Sequence, residues 1–362
     1  MSTIAQPEIP CRVTGGVDTH KDQHVVAALD QVGRLLGIAE FPATAAGYHQ
    51  LHVWLGDHGE IISVGIEGCG SWGAGLARHL AAAEVSVIEV NRPNRQTRRR
   101  RGKSDSVDAE AAARAVLNGD AKVVPKSGNG PVESLRQLRV ARAGAVKART
   151  AAANQLHSLL DTAPDRLRAQ LAKLTFKQKI AMAERFRPGA ESDTEASTKR
   201  ALRSVARRWR FLQDEATELR AEAKKIIDEI APELVARNGV GYETAGQLLV
   251  TAGDNPERLN SERSFAALCA STPVQASTGR TKRHRLNRGG DRQANSALWT
   301  IVLVRMGTDP RTKAYVEKRT ADGLSKREIM RCLKRYVARE LYPLIRDITG
   351  VHTPELEHQS AA

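Results

Sequence analysis

Aromatic residues make up only 4% of this 362-residue chain. That leaves too few rings for a base-stacking platform of the RRM or OB type. Cysteine is scarce as well: Cys11, Cys69, Cys269 and Cys332 lie far apart and form no C-x-x-C pair. This argues against a disulfide framework and a zinc knuckle, and predicts a reducing compartment. No stretch approaches the ~20 apolar residues of a membrane span, so no membrane partner is expected. MSTIAQPEIPCR carries no basic n-region followed by an apolar segment. The expected location is therefore the cytoplasm, with action at the nucleoid. Acid is in short supply: Asp+Glu number 41 against Lys+Arg 56, a net charge of +15 and a pI near 10.0. Such a surplus points to a polyanion, first of all nucleic acid. With 41% hydrophobic and 27% charged residues the chain has the composition of a folded protein, and its length suits two or three domains.

The positive charge is concentrated. RPNRQTRRRRGK (Arg92 to Lys103) holds seven Arg/Lys and no acid, and GRTKRHRLNRGGDR (Gly279 to Arg292) holds six Arg/Lys, one His and one acid. A run of charge is commonly no more than a solvated face. Two runs, each beside candidate catalytic residues, favour nucleic-acid contacts at Arg98, Arg99, Arg100, Arg101 and Lys103, and at Arg280, Lys282, Arg283, Arg285, Arg288 and Arg292.

Three regions separate by pattern. Over residues 12–125, VTGGVD, HVVAALD and RLLGIAEF read as strands. TAAGYHQLHVWLGDHG follows as a helix, IISVGIE as a strand, SWGAGLARHLAAA as a helix, VSVIEV as a strand and SVDAEAAARAVL as a helix. The order βββαβαβα predicts an RNase H/RuvC-like mixed sheet, since a Rossmann sheet would alternate from the start. Residues 131–237 are rich in Ala, Arg and Leu. Leu202, Val205, Trp209, Leu212, Ala216, Leu219, Ala223, Ile226 and Ile230 alternate in steps of three and four, a heptad seam. Leu135, Leu138, Ala145, Ala152, Leu156 and Leu159 keep the same phase, interrupted by Arg142 and Arg149, and FRPGAESDT supplies a reversal. This predicts a helical coiled-coil arm, either folded back on itself or paired with a second subunit; an ordinary helical layer is the plainer reading. Residues 238–348 read as a smaller, mainly helical domain opening with a Gly239-x-Gly241 turn that either cradles a phosphate or is a simple loop. Residues 349–362 read as a tail.

Four acids stand where chemistry is expected. Asp18 ends the first strand and Glu67 the fourth, and Asp105 and Asp108 lie one turn apart at the start of the last helix of the first region. In an RNase H-like sheet the first and fourth strands are neighbours, so all four converge. That much negative charge needs a cation, and hard oxygen ligands select Mg²⁺ or Mn²⁺. Two ions in such a site would clamp the attacking and leaving oxygens of a phosphodiester. The competing reading makes Asp105 a helix cap, Asp108 a macrodipole partner, Asp18 a turn residue and Glu67 a surface acid. His20, Lys21 and Asp22 either tune this site or form a surface turn. In the third region, Ser277 sits between a proline turn and a basic stretch, where it is either a nucleophile toward phosphorus or an ordinary turn residue.

Taken together, GVDTHKDQHVVAALD, GIEGCGSWGAGLARHL, NRPNRQTRRRRGKSDSVDAEAAARAVL and ALCASTPVQASTGRTKRHRLNRGGDRQANSALW resemble the four ordered motifs of the DEDD transposases of bacterial insertion sequences. That family includes the pilin-gene invertases and the bridge-RNA-guided recombinases, and the resemblance covers nearly the whole chain. It implies an RNase H/RuvC-like domain, a coiled-coil dimerisation arm and a C-terminal transposase domain. The metal tetrad would be Asp18, Glu67, Asp105 and Asp108, and the catalytic serine would form a covalent phosphoserine on DNA. The family's serine usually stands in a Ser-Gly context. Here Thr278 precedes Gly279 and Ser277 is one residue earlier, so the role goes to Ser277 with Thr278 as the alternative. The resemblance further implies a homo-oligomer (a dimer, or a tetramer on DNA), an active site shared between subunits, and a non-coding bridge RNA that selects target and donor DNA. A RuvC-like endonuclease using metal-activated water and a non-catalytic nucleic-acid-binding protein are the competing functions.

Overall fold

The computed structural model describes residues 11–91, 104–189, 193–255, 259–279, 284–285 and 287–349. They form two compact units, one of residues 1–130 with 252–260, the other of residues 131–251 with 261–362.

The first unit follows the element order expected from sequence: β1 (Arg12–Thr19), β2 (Gln23–Leu29), β3 (Leu35–Pro42), α1 (Ala45–Asp57), β4 (Glu60–Glu67), α2 (Ala74–Ala82), β5 (Val87–Val90) and α3 (Asp105–Leu117). The strands build one sheet in the order β3-β2-β1-β4-β5. β1 runs antiparallel to β2, β2 antiparallel to β3, and β4 parallel to both β1 and β5.

Side chains on successive strand residues point to opposite faces, and here each face has its own cover. Val26 and Ala28 join Leu51 and Leu55 of α1 and Leu76 and Leu80 of α2 in the main core. Val25 and Ala27 instead meet Ala109 of α3. Each fully buried Leu or Ile of this core contributes about 1.5–3 kcal/mol through lost apolar surface. The α3 face depends on small residues. A Cβ on Gly16 would lie 2.1 Å from the Ala113 amide nitrogen and 2.3 Å from the Ala109 carbonyl oxygen, and one on Gly65 would lie 3.0 Å from the Ala112 carbonyl oxygen. Helix α3 therefore rests directly on the backbone of β1 and β4. The segment after α3 is tied down by Asn255, whose Nδ2 donates to the Pro125 carbonyl at 2.7 Å and whose Oδ1 accepts from the Ser127 amide at 3.3 Å.

The second unit is mainly helical: α4 (Pro131–Asp161), α5 (Asp165–Ala172), α6 (Phe176–Glu184), α7 (Thr194–Ile230), α8 (Pro232–Val235), α9 (Tyr242–Ala252), α10 (Glu262–Leu268), the short strands β6 (Val274–Gln275) and β7 (His284–Arg285), α11 (Arg292–Thr308), α12 (Pro310–Ala321) and α13 (Lys326–Thr349). Helices α4 and α7 pack along one another. The arginines that interrupt the apolar pattern of α4 find partners: Arg142 pairs with Glu243 at 3.0 Å, and Arg149 donates to Gln213 at 2.6 Å. FRPGAESDT, of which residues 190–192 lie outside the described residues, stands between α6 and α7, and two short helices precede it. Helix α4 ends at Asp161, ahead of Pro164, and α5 and α6 fold over the start of α7, burying Leu167, Leu171 and Ile180 against Leu202, Val205 and Trp209. Along α7, Trp209, Ala216, Ala223 and Ile230 are buried, whereas Leu212, Leu219 and Ile226 keep partial exposure. The Gly239-x-Gly241 turn serves its own helix, because the Gly241 amide donates to Thr244 Oγ1 at 3.0 Å. Among the described residues, no helix is long and apolar enough to cross a membrane.

Candidate active site

The parity of the first unit's strands decides where its acids point. Asp18 is two residues beyond Gly16, and Glu67 two beyond Gly65, so both acids share the α3 face with those glycines. Strands β1 and β4 are parallel, with Val17 opposite Ile66, so the next residues, Asp18 and Glu67, are neighbours at the same end of the sheet. A hydrogen bond from Thr19 Oγ1 to the Glu67 carbonyl, 2.7 Å, locks the two strand ends.

Helix α3 delivers the other two acids. Its cap is Ser104, whose Oγ accepts from the Val107 amide at 3.4 Å. Asp105 is thus released from the capping role and stands in the first turn with Asp108, where the helix dipole favours negative charge. Asp108 is buried, at 2% exposure, and Asp105 is open to solvent.

His20 joins this group. Its Nε2 lies 3.4 Å from Asp18 Oδ2 and 3.3 Å from Asp105 Oδ2. One ligand atom from each of Asp18, His20 and Asp105 falls within 4.8 Å of the others. Nε2 is buried and makes no hydrogen bond among the described residues. Adjacent ligands of an octahedral ion at about 2.1 Å stand about 3 Å apart. The carboxylate–imidazole spacings match that requirement, and the donor set of hard oxygens and one imidazole suits a divalent cation. The β1–β2 turn aims His20 here, its amide donating to the Gln23 carbonyl at 3.1 Å. As a sequence it reads equally well as a surface turn; only the docking of α3 brings it to Asp105. Cys69, two residues beyond Glu67, is no competing nucleophile. Burial, with the charge of Glu89 behind it, pushes its pKa up to about 12, so the thiol stays protonated.

The serine lies in the other unit. Ser277 and Thr278 are both exposed, between β6 and Gly279, which adopts φ +52°. The base of this hairpin is tightly built. Ala270 also has a left-handed φ of +52°, and Gly290 lies so close that a Cβ there would stand 2.5 Å from the Ala270 amide nitrogen. Asn295 Nδ2 donates to the Cys269 and Ala270 carbonyls at 3.1 and 3.0 Å. Asp291 caps α11, accepting from the Gln293 amide at 2.7 Å and from Thr251 Oγ1 at 2.7 Å. Arg285, Arg288 and Arg292 are all exposed around this base. Arg98, Arg99, Arg100, Arg101, Lys103, Arg280, Lys282 and Arg283 lie outside the described residues.

Comparison with known proteins bears on this arrangement. Residues 15–163 match a transposase family model of the IS110 DEDD type, and residues 233–317 match the model of the transposase IS116/IS110/IS902 family. The chain is also 27% identical over 150 residues to an uncharacterised 43.6 kDa protein of insertion element IS110 from Streptomyces coelicolor. That match spans 40% of this chain and 36% of the relative. The first match contains all four acids and the second contains Ser277, in the order that the two units present them. On these matches, the chain belongs to the IS110 family of DEDD transposases.

Proposed function

We propose that this protein is an insertion-sequence recombinase that cleaves and exchanges DNA strands through a serine nucleophile, assisted by a divalent ion, Mg²⁺ or Mn²⁺, on an RNase H/RuvC-like domain. The observation that carries the reading is the meeting of Asp18, His20 and Asp105 at the sheet end where Glu67 also lies, within a chain of this family. Asp18, Glu67, Asp105 and Asp108 would hold the ion, which supplies neutralisation of the phosphodiester's oxygens when bound.

In the chemical step, Ser277 Oγ attacks phosphorus. A new Ser–O–P bond forms, the phosphoester bond to the departing strand breaks, the serine proton leaves and the departing oxygen takes one up. Arg285, Arg288 and Arg292, exposed beside the hairpin, would neutralise the charge developing on the phosphoryl oxygens. The energy of the broken ester is kept in the phosphoserine, so a second strand's hydroxyl can reverse the reaction and complete the exchange. The partners in this reading are DNA, a non-coding bridge RNA that selects target and donor, and further copies of the chain. Leu212, Leu219 and Ile226, spaced by sevens on α7 and only half-buried, offer an apolar row for a second subunit.

The test is a covalent adduct. With labelled DNA and Mg²⁺ or Mn²⁺, the wild-type protein should acquire the label through denaturing electrophoresis. Ser277→Ala should abolish that adduct and recombination while DNA binding persists. If Thr278→Ala abolishes it instead, the threonine is the nucleophile. Free cleaved ends without any adduct would establish hydrolysis by water at the carboxylate cluster, as in a RuvC-like endonuclease.

A further inference from the structure

The C-terminal part of the second unit contains a basic cavity of which the strand-exchange chemistry above uses only Arg285. Its volume is about 870 Å³, and it lies between the Ala270–Pro273 turn, strand β7, the end of α12 and the first turns of α13. Arg327, Arg331, Arg335 and Arg339, four residues apart, form a row along α13 at its wall, joined by Arg319 and Arg285. Among the described residues, Glu328 is the single acid of the lining.

Like charges at this helical spacing repel one another, and the protein offsets them only in part. Arg335 and Arg339 share Glu262, at 2.6 Å from Arg335 Nη2 and 3.4 Å from Arg339 Nε, Arg319 pairs with Asp322 at 3.0 Å, and Arg331 is 4.0 Å from Glu328. Arg327 and Arg285 have no ion-pair partner among the described residues. Arg319 Nε and Thr272 Oγ1 are buried without a hydrogen bond among the described residues. Lys334, 6% exposed, donates to Asn295 Oδ1 at 2.9 Å, and burial, with Arg331 nearby, holds its pKa below the usual lysine range. The wall is therefore rich in donors and poor in acceptors. It suits a ligand bearing several anionic oxygens.

Shape and one ring narrow the ligand further. A cavity of this volume is at the upper end of small-ligand sites, about 300–1,000 Å³, and admits a few nucleotides of one strand but not a duplex. Tyr336, also in the lining, is 52% exposed and braced edge-on by Tyr315, ring centroids 5.6 Å apart. In a chain with so few aromatics, an exposed tyrosine among arginines is the combination that holds unpaired bases beside a phosphate backbone. We propose that this cavity binds an unpaired nucleic-acid strand, its phosphates on the α13 arginines and a base on Tyr336. The site would hold the strand at the base of the segment that bears Ser277. The inference deepens the strand-exchange reading and rests on it for the strand's origin, since exchange creates unpaired DNA and a guide RNA presents unpaired loops.

The test measures binding rather than cleavage. Fluorescence anisotropy with labelled single-stranded DNA, single-stranded RNA and duplex DNA of equal length would be followed across salt, using the full chain. The double variant Arg327→Ala/Arg331→Ala should weaken single-strand binding at least about tenfold and lower the salt slope by roughly 1.4, at about 0.7 per phosphate contact. Tyr336→Ala should weaken it at least about fivefold and leave the slope unchanged, because stacking releases no counterions. Arg327 and Tyr336 are exposed, and Arg331 is half-exposed with only a 4.0 Å contact to Glu328, so both variants should melt close to the wild type. Loss on the DNA arm or on the RNA arm upholds the proposal and identifies the strand. Unchanged single-strand binding in both variants, or an equal loss on duplex, overturns it. Asp105→Asn separates this proposal from the catalytic reading: it should bind single strands normally. If it does so yet still exchanges strands, the carboxylate chemistry falls and the cavity stands.

Discussion

The two units place their proposed functional groups by opposite means. In the first, Asp18 and Glu67 end neighbouring parallel strands, and Asp105 and Asp108 ride on a helix that touches the strand backbone across Gly16 and Gly65. In the second, Ser277 and Thr278 are exposed on a hairpin of two-residue strands, and the order is invested in its base, at Gly290, Asp291 and Asn295. A cation site needs ligands fixed to a fraction of an ångström, which strand ends and close-packed helices provide. In the proposed reaction, a nucleophile that stays bonded to a DNA end while strands change partners would gain from an exposed mounting.

The largest effect that would break this comparison is chemical. Asp105→Asn or Glu67→Gln keeps shape but removes one anionic ligand, and should cut strand transfer by roughly a thousandfold or more, as a metal-borne interaction of several kcal/mol is lost. Full recombination by either variant would remove the acids from the mechanism. Next in size, Leu212→Asp with Leu219→Asp puts two charges in the half-buried row of α7 and should dissociate, in sedimentation, the oligomer proposed to form on that row. An unchanged oligomer would make α7 solely the intramolecular partner of α4.

Two glycines sharpen the comparison. Gly16→Ala drives a methyl into the backbone of α3 and should cost about 3 kcal/mol, at the upper end for overpacking, with loss of cleavage as the acids shift. Gly144→Ala, in the middle of α4 with nothing within 4 Å, should instead stabilise the second unit by up to about 1 kcal/mol. Equal effects in thermal unfolding would refute the close-contact account of α3.

The smallest effect is in acid. Burial, with His20 nearby, holds the pKa of His24 below its usual 6.5. Protonation then favours the unfolded chain, so the first unit should keep full stability above about pH 6.5 and lose it as pH falls. In the second unit, hydrogen bonding to Arg335 brings Glu262 from 4.5 down to about 2. Its contribution is complete above pH 4.5 and disappears as pH falls toward 2, and its partial exposure keeps it small. Calorimetry across this range should therefore show the first unit weakening earlier. Glu262→Gln should flatten only the lower window, and a common midpoint shift for both units would contradict the assignment.

Much of the first unit is legible in its residues because its strands are short apolar runs between turn signals. Even the acids announce their side of the sheet. Gly16-Val17-Asp18 and Gly65-Ile66-Glu67 repeat one pattern, a glycine where α3 must rest and an acid two residues on. His20 is different: nothing local distinguishes it from a turn residue, and Asp105 is 85 positions away in sequence. In the helical unit, α5 and α6 merge with their neighbours because their Lys, Arg and Gln keep helix propensity high, leaving Pro164 as the main sign of a break. The row Arg327, Arg331, Arg335 and Arg339 is invisible to any search for contiguous charge, since Ile329, Met330, Leu333 and Val337 lie between its members and face the core.

Asn255 carries a consequence for how the molecule is made. It belongs to the part of the first unit, residues 252–260, that follows residue 130 by more than a hundred positions, and it supplies the partners of Pro125 and Ser127. At about 5–20 residues per second, a ribosome needs on the order of ten seconds to travel from one to the other. During that interval the sheet and α3 exist without their closing tie. A nascent chain stopped at residue 130 would therefore lack the partners of Pro125 and Ser127, and residues 131–251 must be synthesised before the segment after α3 is tied down.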